Sequence, residues 1–135
     1  MLSAIAIGIG AATSARAEDI FALARAMLEQ APPHAGAKIF TLARKAETPA
    51  LREAAARLGV DVVSLDEVEF SARQKEFLAR GATASALAQA KTGFASVAEA
   101  AALMGGGPKA VLIAPRRAQN NVTCALAAPA DELNL

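Results

Sequence analysis

Cysteine is nearly absent: Cys124 stands alone, so neither a disulfide framework nor a multi-cysteine metal site can form within one chain. It falls in an apolar C-terminal strand pattern and is expected to act as a small core residue. Tryptophan and tyrosine are missing altogether, and the five phenylalanines are scattered. With no aromatic platform, a net charge of only +1 and no basic block, the chain lacks the means to stack on or neutralise a nucleic acid. Histidine occurs once, at His34 in a Pro/Gly loop. That argues against a metal cluster or a serine-histidine triad, and no cofactor is expected. Long apolar runs are also lacking. Residues 1–15 carry no charged side chain but are interrupted by two glycines and too short to cross a bilayer. Ala15-Arg16-Ala17 mimics a signal-peptidase site, yet no positive segment precedes it. The stretch therefore reads as a first strand, with no membrane partner and a cytoplasmic location expected.

What the chain has in quantity is apolar residues, 54% of 135, enough for one domain over residues 1–135 with a real core. Ser3 to Thr13 is an apolar strand pattern ending in Gly8-Ile9-Gly10, with Ser14 a candidate N-cap for a helix from about Ala15 to Gln30. Ile20, Leu23, Ala24, Met27 and Leu28 form its apolar stripe. Lys38 to Leu42 and Val60 to Leu65 read as strands. Between them Thr48-Pro49 opens a helix that Gly59 stops. Asp66 caps a helix to about Leu78, Ser85 starts a short one closed by Gly93, and Ser96 with Glu99 reads as a capping box for a helix to about Met104. Gly105-Gly106-Gly107-Pro108 reads as a flexible break. Ala110 to Ala114 and Val122 to Ala127 are the last strands, joined by Pro115 to Asn121, too short for a helical crossover and so antiparallel. Strands one to four alternate with helices. The fold expected is α/β, a three-layer α/β/α domain with a mixed, mostly parallel five-stranded sheet.

In such sheets ligands lie beyond the carboxyl ends of the parallel strands. Those ends supply Gly8 and Gly10, then Arg44, Lys45 and Glu47, then Ser64 and Asp66, then Pro115, Arg116 and Arg117. An edge of bare backbone amides, one lysine and three arginines suits a polyanion, each charge-assisted bond contributing about 1.5–3 kcal/mol when partly buried. Gly8-x-Gly10-x-x-Thr13 lacks the third glycine of a dinucleotide fingerprint, and Arg44 and Lys45 stand where that fingerprint wants an acid. Two readings of the glycines remain open: an anion-binding turn, or a tight strand-to-helix connection and nothing more. Glu47, two residues from Lys45, is the best general-base candidate. It equally suits an acid complementing a helix dipole. Ser96 and Glu99 build a helix N-terminus able to receive a carboxylate.

Taken in order, several blocks resemble the cobalamin-biosynthesis family that comprises stand-alone CobE and the C-terminal domain of the CbiG proteins. They are Gly8-Ile9-Gly10; Leu42-Ala43 with Lys45-Ala46-Glu47-Thr48-Pro49-Ala50-Leu51; Ala55 to Gly59; Gly93 to Leu103; and Leu112 to Arg116 with Val122 to Ala127. The resemblance covers about residues 3 to 127. It implies work on the corrin ring of vitamin B12, with a tetrapyrrole or corrinoid intermediate as the partner and other corrin-pathway enzymes as further partners. Three functions follow from it: binding or carrying a corrinoid intermediate; opening the δ-lactone of a ring-contracted precorrin; or docking onto other pathway enzymes without catalysis. The ligand-binding residues expected are Gly8, Gly10, Arg44, Lys45, Ser96, Glu99 and Arg116. Lys45 would polarise a carbonyl and Glu47 activate water if there is turnover. Two positions depart from the family pattern: Ala11-Ala12-Thr13-Ser14 replaces an arginine and a further glycine, and Thr48 replaces a glutamate. Binding therefore ranks above chemistry.

Overall fold

The computed structural model describes residues 2–83 and 96–133. Its sheet has five strands: β1 (Ile5–Ala11), β2 (Ala37–Leu42), β3 (Asp61–Leu65), β4 (Ala110–Gln119) and β5 (Val122–Pro129), in spatial order β3-β2-β1-β5-β4. The helices are α1 (Ala17–Glu29), α2 (Ala43–Ala46), α3 (Pro49–Leu58), α4 (Glu67–Ala72), α5 (Gln74–Ala79) and α6 (Val97–Gly106). The fold is α/β with a mixed sheet, but "mostly parallel" needs correcting. β1 pairs with β2 and β2 with β3 in parallel, while β1–β5 and β4–β5 are antiparallel. The reason lies in β5, which returns between β1 and β4 and turns a fourth parallel neighbour into two antiparallel ones. The helix expected from Ser85 to Gly93 lies outside the described residues.

Alternation along β1 fixes the layers. Ile5, Ile7 and Ile9 face a core built with Ile20, Leu23, Ala24 and Met27 of α1 and Leu51, Ala54 and Ala55 of α3. Burying each such isoleucine or leucine contributes about 1.5–3 kcal/mol. Ala6 faces the other way, into a second core with Ala98 to Leu103 of α6, Phe70, Phe77, Ala125 and Ala127. Here the residues are small and the helix comes close. A Cβ on Gly8 would sit 1.8 Å from the carbonyl oxygen of Ala98 and 2.6 Å from the amide nitrogen of Ala102. Gly8 is thus inside the strand, where the missing side chain admits α6. It does not make a strand-to-helix turn.

Other boundaries follow from local chemistry. Thr48 precedes α3 with Pro49 at its first position, and Gly59 ends it at φ 73°, as the sequence indicates. Asp66 accepts the amide of Glu69 at the start of α4. The single helix expected to Leu78 is bent at Arg73, whose N–H is shared between the carbonyls of Glu69 and Phe70. The bend brings Phe70 and Phe77 into one core with ring centroids 5.7 Å apart. Ser14 is not an N-cap: a turn with Ala15 N–H donating to Ala12 O delays the helix, and Arg16 takes the cap position without a side-chain bond. Gly105 and Gly106 continue α6 and are no break; glycine stands there because a Cβ would collide with Phe40 at the first and Ala110 at the second.

Candidate functional site

The last two strands differ most from expectation, and they build the site. β4 does not stop at Ala114 but runs to Gln119. It is joined to β5 by Asn120 and Asn121 at φ 52° and 66°, a two-residue hairpin turn with both central residues left-handed. Pro115 is tolerated because β4 is an edge strand. Two bulges, between Leu112 and Ala114 and between Ala114 and Arg117, bend it. The hairpin extends past the start of α6 at the same sheet margin where β1 ends. Its tip is tied down: Ala12 N–H donates to Asn121 O at 3.0 Å, and Asn120 Nδ2 donates to Asp19 Oδ1 at 3.3 Å.

A cleft of about 600 Å³ opens at that margin. Gly10, Ala11 and Ala12 line it beside Ala118, Val122 and Thr123, mostly small side chains. One wall is the start of α6 at Ser96 and Val97, and Arg116 stands at the side. Val97 would lie 3.6 Å from a Cβ on Gly10, so the helix start meets the strand end directly. The helix N-terminus at the site is thus that of α6. Val97 is one of two large apolar side chains exposed among the described residues, at 37%.

The expected site residues are not all brought together. Gly10, Ser96 and Arg116 share the cleft. Lys45 lines a small adjoining hollow that shares Ala11 and Ala12 with it, and its Nζ donates to Thr13 Oγ1 at 3.4 Å. Arg44 lines a hollow of about 130 Å³ against α4, joined to the cleft through Val97, and pairs with Glu67 at 3.2 Å. Gly8 and Glu99 are in the interior. Glu47 lines none of these hollows; its carboxylate pairs with Arg52 and is 83% exposed.

Ser96 and Glu99 do not form the expected capping box, and Ser96 makes no side-chain cap bond. The Glu99 side chain turns inward instead. Oε1 accepts the Thr83 N–H at 2.7 Å and Oε2 the Arg116 N–H at 3.2 Å. The second bulge explains this preference: Arg116 is skipped in the β4–β5 ladder, so its amide is free for a carboxylate. Cys124 lies under the sheet on the α1 side, fully buried, and burial pushes its thiol up to about 12. It is a core residue and no nucleophile. His34 sits at the opposite margin, bridged to Leu2, with Nδ1 on Pro32 O. Among the described residues no three His, Cys, Asp or Glu side chains are grouped to hold a metal ion, and no helix is long and apolar enough to cross a membrane.

Sequence reasoning missed Val97, Ala118 to Asn121 and Thr123 as cleft residues. The available signal was Asn120-Asn121, a dipeptide suited to two left-handed positions in a tight hairpin.

Comparison with known proteins assigns the chain to a family. The family model described as "Cobalamin synthesis G C-terminus" matches residues 5–127. Protein CobE from a Sinorhizobium species is 34% identical over 128 residues, spanning 93% of this chain and 80% of that protein. A crystal structure of CobE, described as a protein from the cobalamin (vitamin B12) biosynthetic pathway, superposes with a TM-score of 0.73 at 29% identity, covering 94% of this chain and 91% of that one. The cobalamin biosynthesis protein chiG from Agrobacterium tumefaciens str. C58 superposes with a TM-score of 0.69 at 30% identity, covering 94% and 99%. This chain belongs to the cobalamin synthesis G C-terminus family.

Proposed function

We propose that this protein serves cobalamin biosynthesis in the cytoplasm by binding a corrinoid intermediate in the cleft between the start of α6 and the β4–β5 hairpin. The observation that carries the reading is the meeting of Gly10, Ser96 and Arg116 in one open cleft of about 600 Å³. Its small lining residues, Gly10, Ala11, Ala12, Ala118 and Thr123, leave room for the face of a flat macrocycle. Val97 offers an apolar contact, and Arg116 suits one of the ring's carboxylate arms. Arg44 and Lys45, lining hollows that share residues with the cleft, would take further arms.

Binding is favoured over lactone hydrolysis by where Lys45 and Glu47 lie. Lys45 donates to Thr13, and Glu47 faces Arg52 at the surface, outside the hollow that Lys45 lines. Among the described residues no pair of acid and base converges on a common point in the cleft.

The test is a titration with hydrogenobyrinic acid, a metal-free corrin carrying several carboxylates. A saturable shift of its visible spectrum is expected, weakened several-fold by Arg116→Ala and by added salt, since exposed charge pairs are screened. An unchanged spectrum at all protein concentrations would remove the proposal. Binding that ignores both salt and Arg116 would remove the site.

A further inference from the structure

Among the described residues Glu99 is the only buried carboxylate, at 1% exposure. It lies in a helix where alanine otherwise fills the space: Ala98, Ala100, Ala101 and Ala102 are all buried beside it. Taking a carboxylate out of water carries a large penalty, so a packing role alone would be better met by another small apolar side chain. The compensation is visible in its bonds. Thr83 N–H and Arg116 N–H both donate to it, and its place in the first turn of α6 puts it in the favourable field of a helix N-terminus. Thr83 O in turn accepts the Ser96 N–H at 2.7 Å. One carboxylate therefore joins the chain after α5, the start of α6 and the second bulge of β4.

Two of those three pieces line the cleft. Arg116 and Ser96 both face it, and neither is fixed by the regular ladder or by a side-chain cap. We propose that Glu99 is a positioning residue: its carboxylate holds the bulged backbone of β4 and thereby sets where Arg116 stands at the cleft. As far as it concerns ligand affinity, this inference rests on the binding reading above. Glu99 itself touches no ligand; it acts through Arg116.

Glu99→Gln is the informative change, being nearly the same shape. Its amide keeps one acceptor but turns an NH₂ group toward the second backbone N–H, leaving that buried donor unpaired. Amide hydrogen exchange reads this without any ligand. The Thr83 or Arg116 amide should exchange about ten-fold faster or more, while Ile7 and Ile39 in the sheet centre keep their protection. Unchanged exchange at both amides overturns the proposal. The second arm is a double-mutant cycle on hydrogenobyrinic acid affinity. If Glu99 acts through Arg116, the loss caused by Glu99→Gln should largely vanish in an Arg116→Ala background. Equal losses in both backgrounds would overturn it. Should the glutamine variant fail to fold, Glu99→Asp keeps the charge but withdraws it by one methylene, and the same amide comparison applies. If wild-type protein ignores the corrin while the exchange arm succeeds, the binding reading fails and the positioning role of Glu99 stands.

Discussion

The two faces of the sheet are packed by opposite means. On the α1/α3 face, long side chains meet: Ile5, Ile7 and Ile9 against Ile20, Leu23, Met27 and Leu51. On the other face, where α6 crosses β1, almost nothing stands between backbone and backbone: Gly8 lies under Ala98 and Ala102, and Ala6, Ala125 and Ala127 share a core with a run of alanines. The first face is a conventional core, able to absorb a lost methyl by small shifts. The second has no such slack at Gly8, whose neighbours are main-chain atoms of Ala98 and Ala102. That closeness has a functional consequence. It holds the start of α6 hard against the end of β1, so Ser96, Val97 and Gly10 share one cleft, and the Glu99 carboxylate, buried behind it, reaches the Arg116 amide.

The comparison is broken or sharpened by three changes. Gly8→Ala should have the largest effect. The added methyl meets a carbonyl oxygen at 1.8 Å, so α6 must lift, and overpacking of this kind is expected to cost about 3 kcal/mol or more. Urea unfolding measures it. A cost below that of a conservative change on the other face would show that the α6 face is not the tighter one.

Next comes a pH effect on the α1 face, where Cys124 lies in the core. Its thiol is raised from an ordinary 9.0 to about 12 by burial, partly opposed by Arg117. Above pH 9 the unfolded thiol ionises while the folded one stays neutral. Its contribution to stability is therefore complete below about pH 9 and is lost as pH climbs toward 12, at a slope near 1.4 kcal/mol per pH unit. Cys124→Ala should flatten that alkaline decline relative to wild type. An identical slope in the two proteins would mean that the thiol is solvated. Smallest is Ile7→Val, which removes one methylene from a fully buried side chain and should cost about 1 kcal/mol, read from the same urea curves.

How far the sequence carries one follows from the same contrast. The α1 stripe, the Thr48-Pro49 start and the Gly59 stop are local signals, and each appears where its chemistry put it. Gly8 and Gly10 were visible as special, but their meaning was not. A glycine in a turn and a glycine under a helix look identical until the helix is placed. The Ser96/Glu99 spacing misled for a similar reason: a capping box is a local arrangement, whereas the partners of Glu99 lie on other segments, 16 and 17 residues away. The antiparallel pairing of the last two strands was legible, but the length of their hairpin was hidden by Pro115, which reads as a strand terminator until β4 is known to be an edge. Arg116 and Gly10 were legible as edge residues of the sheet. Their joint cleft with Ser96 depended on the strand order β1-β5-β4, which no pattern in the sequence announces.

The central claim is that a corrin polycarboxylate sits between the start of α6 and the β4–β5 hairpin. Chemical-shift mapping of the backbone amides during addition of hydrogenobyrinic acid tests it most directly. The account predicts that the largest shifts fall together on Gly10, Val97, Arg116, Ala118 and Thr123, with the opposite margin around His34 silent. Shifts centred on that opposite margin, or on the α1/α3 face, would contradict it.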